Sequence, residues 1–138
     1  MNQRTDGSTR PTMDDVLDEV ALVLAQRSTC PEGARHGAVI AVDGRIVATG
    51  YGSPATGDAP CERCWLREKF ALTGIKDWTV CPSVHAEANA IGHAARYGVS
   101  VAGGTLHVTR PPCDPCRRLL RNAGVRNFTT PGGRKADL

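Results

Sequence analysis

Val16, Val20, Val23 and Leu24 recur at three- and four-residue steps behind Thr12 and the acidic pair Asp14-Asp15. That period, with a capping residue and early acids, predicts an amphipathic helix from Thr12 to about Ser28. The period then changes to that of strands. Apolar, β-branched runs from His36 to Val42 and from Arg45 to Gly50 flank Asp43-Gly44, a two-residue turn signal that predicts an antiparallel hairpin. From Tyr51 to Pro82 the pattern breaks. Gly52, Ser53, Pro54, Gly57 and Pro60 open an insertion in which Trp65 to Leu72 can form one short helix. Beyond it, Val84 to Tyr97 is rich in Ala, carries Ile91 on one face and stops at Gly98, so it reads as a helix. Gly104 to Thr109 reads as a strand, Pro112 to Asn122 as a helix stopped by Gly124, and Val125 to Thr130 as a strand before a polar end.

This alternation predicts an α/β fold, with helices on both faces of a mixed sheet of four or five strands and parallel pairing in its second half. Open sheets of this kind place ligands beyond the carboxyl ends of their strands. The starts of the two later helices meet there. Residues 1–11 lack apolar anchors and read as a flexible tail; residues 12–138 are of a size for a single domain.

Composition narrows the chemistry. Seventeen basic against 14 acidic residues leave a net charge of +3, and neither sign gathers into a run that would mark a nucleic-acid stripe or a polybasic membrane patch. Aromatics are 4% of the chain, which leaves little material for stacking platforms. A small-molecule substrate is expected, without stable nucleic acid binding. There is no apolar run of roughly 18 residues and no apolar centre of a secretory signal near the start, so the expectation is a cytoplasmic protein that does not span a membrane. Six cysteines in such a chain read as reduced thiols for metal or catalysis rather than disulfides.

Two short motifs carry the chemistry: His85-Ala86-Glu87 and Pro112-Cys113-Asp114-Pro115-Cys116. His85, Cys113 and Cys116 supply three ligands for zinc, and three protein ligands leave the fourth tetrahedral position open to water. Cys113 and Cys116 are three apart and so share one side of a helix turn, whose N-terminal partial positive charge is expected to lower their thiol pKa. Two thiolates make the metal a weaker Lewis acid, so a nearby base is needed. Glu87 fits as a proton shuttle. Either motif alone is commonplace: C-x-x-C is often a structural half-site, a redox pair or two buried thiols. Together and in this order they match the signature of zinc nucleobase deaminases.

The resemblance extends further. Ser28-Thr29-Cys30, Gly37-Ala38-Val39-Ile40, Asp43 to Tyr51, His85 to Ile91, Gly104-Thr105-Leu106 and Val108-Thr109 resemble deoxycytidylate (dCMP) deaminases of the cytidine deaminase superfamily, over about residues 13 to 128. Asn89-Ala90-Ile91 and the stretch from Ala94 to Ser100 resemble that branch more than free cytidine or tRNA-adenosine deaminases. The resemblance implies a three-layer α/β/α cytidine-deaminase-like fold and a role in pyrimidine nucleotide metabolism as a homo-oligomer. It implies a catalytic Zn2+ on His85, Cys113 and Cys116 with Glu87 as catalytic residue. By the same analogy the backbone near Gly37, Ala38 and Ala86 contacts the base. The implied reaction is conversion of dCMP to dUMP and ammonia.

Cys30, Cys61, Cys64 and Cys81 remain, and four is the number a closed structural zinc requires. They are expected to hold a second Zn2+ that pins the insertion to the end of the first helix; the alternative is a buried Cys30, a surface C-x-x-C pair and a lone Cys81. Among basic residues Arg110, between a strand and the Pro112 helix, is the preferred phosphate partner, against a plain solvated role. The chain departs from the resembling family at Pro31-Glu32-Gly33, at His36 in place of Val, and at Gly52-Ser53-Pro54 where Asn-Gly is usual. A nucleoside, a free base such as guanine, or a modified cytosine nucleotide therefore stays open as substrate. So does a non-catalytic, zinc-stabilised binding or regulatory module, although such a module would not need Glu87.

Overall fold

The structure, a computed structural model, describes residues 10–33 and 35–138; most of the expected tail, residues 1–9, lies outside them. Helix α1 (Met13–Ala25) starts at a capping box in which the Thr12 hydroxyl accepts from the Asp15 backbone N–H and the Asp15 carboxylate accepts from that of Thr12. Its buried stripe is Leu17, Asp18, Ala21 and Ala25, flanked by Val20 and Leu24, whereas Val16 and Val23 are 42% and 60% exposed. The face differs from the one hydropathy predicts for a steric reason. At Gly37 a Cβ would lie 2.1 Å from the Ala21 carbonyl oxygen, so helix and strand are too close for valines between them. Asp18 is tolerated inside because His107 and Thr129 receive it, at 3.0 Å and 2.5 Å.

Strands β1 (Gly37–Val42) and β2 (Arg45–Tyr51) form the expected hairpin. Asp43 and Gly44 both take positive φ, 51° and 75°, the geometry whose twist matches paired strands. Two-residue strands β3 (Ser53–Pro54) and β4 (Ser83–Val84) pair across the neck of the insertion, which carries α2 (Trp65–Thr73) and a 3-10 turn, Trp78–Val80. Then follow α3 (Ala86–Tyr97), β5 (Thr105–Val108), α4 (Asp114–Asn122), β6 (Asn127–Thr129) and β7 (Ala136–Asp137).

The main sheet runs β2-β1-β5-β6-β7. Only β5 and β6 pair in parallel, joined through α4, while the other neighbours are antiparallel. Edge strand β7 stands where the sequence reads as a polar end; two exposed residues carry no hydropathic period. Alternate residues of β1 face opposite layers. Ala38 and Ile40 join Leu106, Val108, the α3 alanines and Leu120, and Val39 and Ala41 meet Leu17 and Ala21 under α1. Each large aliphatic group removed from water this way is worth about 1.5–3 kcal/mol. The fold is thus an α/β sandwich of three layers, with α3 and α4 side by side on one face. Among the described residues no helix is long and apolar enough to cross a membrane.

Candidate metal and active site

Helix α3 is pressed onto β2 at Gly50, where a Cβ would lie 2.2 Å from the Ala86 carbonyl oxygen. The first turn of α3 is thereby fixed against the sheet. Its N-cap is His85, extended at φ −64°, ψ 151°, with no side-chain capping bond, so the imidazole is free to point outward. Helix α4 begins the same way: Pro111-Pro112 ends the β5 connection, Cys113 is the N-cap at φ −69°, ψ 165°, and a proline occupies the first turn. Both caps therefore face the same gap.

His85 Nδ1 lies 3.5 Å from the sulfur of Cys113 and 3.5 Å from that of Cys116. A tetrahedral zinc with bonds of about 2.3 Å to sulfur and 2.0–2.1 Å to nitrogen requires a nitrogen–sulfur separation of about 3.5 Å. The residues fit the metal. Their ligand atoms all lie within 4.8 Å of one another, with Cys116 buried and His85 and Cys113 exposed, so the open side faces outward.

Glu87, in the first turn of α3, is buried. Burial first, then the Glu87 carboxylate and Cys113, push the Cys116 thiol up to about 12. The lowering expected from the helix N-terminus is outweighed at Cys116 by desolvation, Glu87 and Cys113. A cation among the three ligands inverts that local logic, since a coordinating thiol is deprotonated by the metal.

The other expected site residues divide. Ala38 and Ala86 are buried in the core that packs α3 against the sheet. Arg110 is exposed, just past β5, and near enough to His36 to lower its pKa, after burial and ahead of His85. His36 joins the rim: its Nδ1 lies 3.3 Å from the Thr109 hydroxyl, and its buried Nε2 has no partner. Its signal in the sequence is its departure from the resembling family, which has Val directly before the Gly-Ala pair.

Cys30, Cys61, Cys64 and Cys81 line a single small cleft with Thr29, Pro31 and Trp65. The Cys61 thiol is raised by burial and then by Cys81, Cys30 and Cys64, which lie near it. They do not close as tightly as the first set. Among the described residues only His85, Cys113 and Cys116 form a group of three or more such ligands within 4.8 Å.

Comparisons with known proteins agree with this geometry. The 38%-identical deoxycytidylate deaminase of Mycobacterium phage D29 aligns over 88% of this chain and 96% of its own. That of Enterobacteria phage T4 is 33% identical over 80% of this chain and 72% of its own. The crystal structure of dCMP deaminase from the cyanophage S-TIM5 in apo form superposes with a TM-score of 0.68 at 26% identity, over 87% of this chain and 82% of that one. The family profile described as "Cytidine and deoxycytidylate deaminase zinc-binding region" matches residues 11–130, which include every ligand of the first site. A tetrahedral His-Cys-Cys gap, a buried carboxylate beside it and these likenesses lead to one assignment: the chain belongs to the zinc-binding family of cytidine and deoxycytidylate deaminases.

Proposed function

We propose that the protein is a zinc-dependent hydrolytic deaminase that converts dCMP to dUMP and ammonia. The observation that carries this reading is the spacing of His85 Nδ1, Cys113 and Cys116 at zinc-ligand distances with Glu87 buried against them. The substrate comes from the relatives, the deoxycytidylate deaminases of phages D29 and T4. Held by His85, Cys113 and Cys116, zinc would lower the pKa of a water bound to it. Glu87 takes one proton from that water and passes it to the ring nitrogen, then passes the water's second proton to the amine, which leaves as ammonia. The carbon–oxygen bond forms first, by addition across the ring C=N bond, and the exocyclic carbon–nitrogen bond breaks afterwards; no oxidant or reductant is involved. The core under Ala38 and Ala86 holds the backbone against the base, and Arg110 receives the 5′-phosphate.

The finer parts of the reading rest on the same fold. Residues 12–138 act as one domain, in the cytoplasm. Cys30, Cys61, Cys64 and Cys81 hold a second, structural zinc, supported by their shared cleft. Homo-oligomerisation is supported by the insertion, where Leu72, Trp78 and Ile75 are 87%, 66% and 64% exposed.

The test is a panel of cytosine, guanine and adenine compounds with and without 5′-phosphate, followed by absorbance and ammonia release. dCMP is expected to be turned over fastest. Glu87→Ala is expected to lose about 10²–10⁴-fold in rate with the first zinc retained. A nucleoside preferred over its monophosphate would overturn the substrate, and an undiminished Glu87→Ala rate the mechanism.

A further inference from the structure

Asn89 sits one turn after His85 on α3, a position where an interior asparagine is a poorer helix former than the alanines around it. Its contacts account for it. The backbone N–H of Asn89 donates to the His85 carbonyl at 2.9 Å, and its side-chain amide donates to the Val84 carbonyl at 3.2 Å. The two carbonyls that flank the His85 Cα are thus both received by one residue. The same amide nitrogen lies 2.8 Å from the Tyr51 carbonyl at the end of β2 and 3.4 Å from the Ser53 hydroxyl. An amide is the one short neutral side chain with two N–H donors on a single atom, and two carbonyls are what it meets.

We propose that Asn89 is the positioning residue of the metal site: by tying the main chain before His85 to the end of β2, it sets the direction in which the imidazole and, one turn edge away, Glu87 face the metal. Two main-chain torsions of His85 are restrained by these bonds, and only its side-chain torsions remain to be fixed by coordination. Groups that hold a ligand from behind in this way typically change metal affinity or activity by about 10–100-fold when removed.

The activity readout rests on the deaminase reading above; the metal readouts do not. Asn89→Ala keeps a good helix former in place, and Asn89→Asp keeps the shape while replacing both donors by acceptors that repel the carbonyls. Each variant is to be loaded with cobalt(II) in place of zinc and its visible absorption recorded. Zinc affinity is measured by chelator competition, and steady-state rates with dCMP by ammonia release. Both variants are expected to stay folded by circular dichroism and to shift the cobalt bands. Zinc affinity or kcat should fall about 10–100-fold while KM stays within about twofold. Cobalt spectra and zinc affinities equal to those of the unsubstituted protein would overturn the proposal, whatever the rates. Loss of the fold in both variants would overturn it too, by making Asn89 a residue that holds the fold rather than the site. A protein that turns over no dCMP but whose variants shift the cobalt bands would refute the substrate and leave the positioning role standing.

Discussion

The layer that carries the metal ligands and the insertion between β3 and β4 are built on opposite terms. Around the site, Ala86, Glu87, Ala90 and Ala94 of α3 and Cys116 and Leu120 of α4 are buried, and at Gly50 helix and sheet come within backbone distance. In the insertion neither α2 nor the 3-10 turn buries a single residue. A nine-residue helix is marginal in water when nothing packs on it. What holds the insertion is polar: Arg67 with Glu32, Lys69 with Asp77 and Arg63 with Glu68, beside the four cysteines. Packing gives the site its rigidity, and point contacts give the insertion its place.

The largest effect should separate the two sets of cysteines. Cys116→Ser removes a buried ligand of the first site, and deamination is expected to fall to background together with one equivalent of zinc. Cys61→Ser should leave that zinc in place, lose the second, and raise hydrogen exchange across residues 61–82 while β5 and α4 stay protected. Zinc content by atomic emission with exchange by mass spectrometry checks both. One zinc per chain, unaltered by Cys61→Ser, would break the comparison by leaving the insertion without a metal to hold it.

Gly50→Ala comes next. Its Cβ would lie 2.2 Å from the Ala86 carbonyl oxygen and 2.6 Å from the Ala90 backbone nitrogen, and backbone cannot turn aside as a side chain can. Overpacking of this kind costs about 1–3 kcal/mol or more, read from denaturant unfolding. Gly57→Ala in the insertion meets no atom within 4 Å, yet its φ of 95° strains any other residue, so a smaller loss is expected there. Equal losses at the two positions would mean that close approach is not what fixes α3.

Much of this division can be read in the chain. The Asp43-Gly44 turn, the Gly98 stop and the two motifs are local signals, each set by a few residues in a row; the structure bears out the turn and the stop and brings His85, Cys113 and Cys116 together. Contacts that depend on distant residues are not legible in this way. Val16 and Val23 point outward because Gly37 draws α1 too close for them, and Asp18 is buried because His107 and Thr129, far along the chain, pair with it. The same holds for the Cys116 thiol. Its local helix N-terminus predicts a lowered pKa, but burial and a carboxylate from another helix raise it. Asn89 stands out in the sequence only as part of the resemblance over Asn89-Ala90-Ile91, while its contacts are with carbonyls at Tyr51 and Val84 that only the fold brings together.

The smallest effect is confined to the insertion and has a definite sign. Asp77 accepts from Lys69 at 2.5 Å and from the hydroxyl and backbone N–H of Thr79, and these bonds, Lys69 first, lower its pKa from 3.8 to about 2. A carboxyl depressed in the folded chain contributes stability that is fully present above its unfolded value and is lost as pH falls through its folded one. The 3-10 turn should therefore hold at neutral pH and loosen between about pH 4 and pH 2, a window that Asp77→Asn abolishes. Tryptophan fluorescence reports it, since Trp78 lies in that turn. Salt should weaken the effect because the pair lies at the surface, where ions screen it. The apolar packing beneath α3 and α4, being buried, offers salt no such access. A transition in this window that is insensitive to both salt and Asp77→Asn would show that the insertion, too, is held by contacts shielded from water.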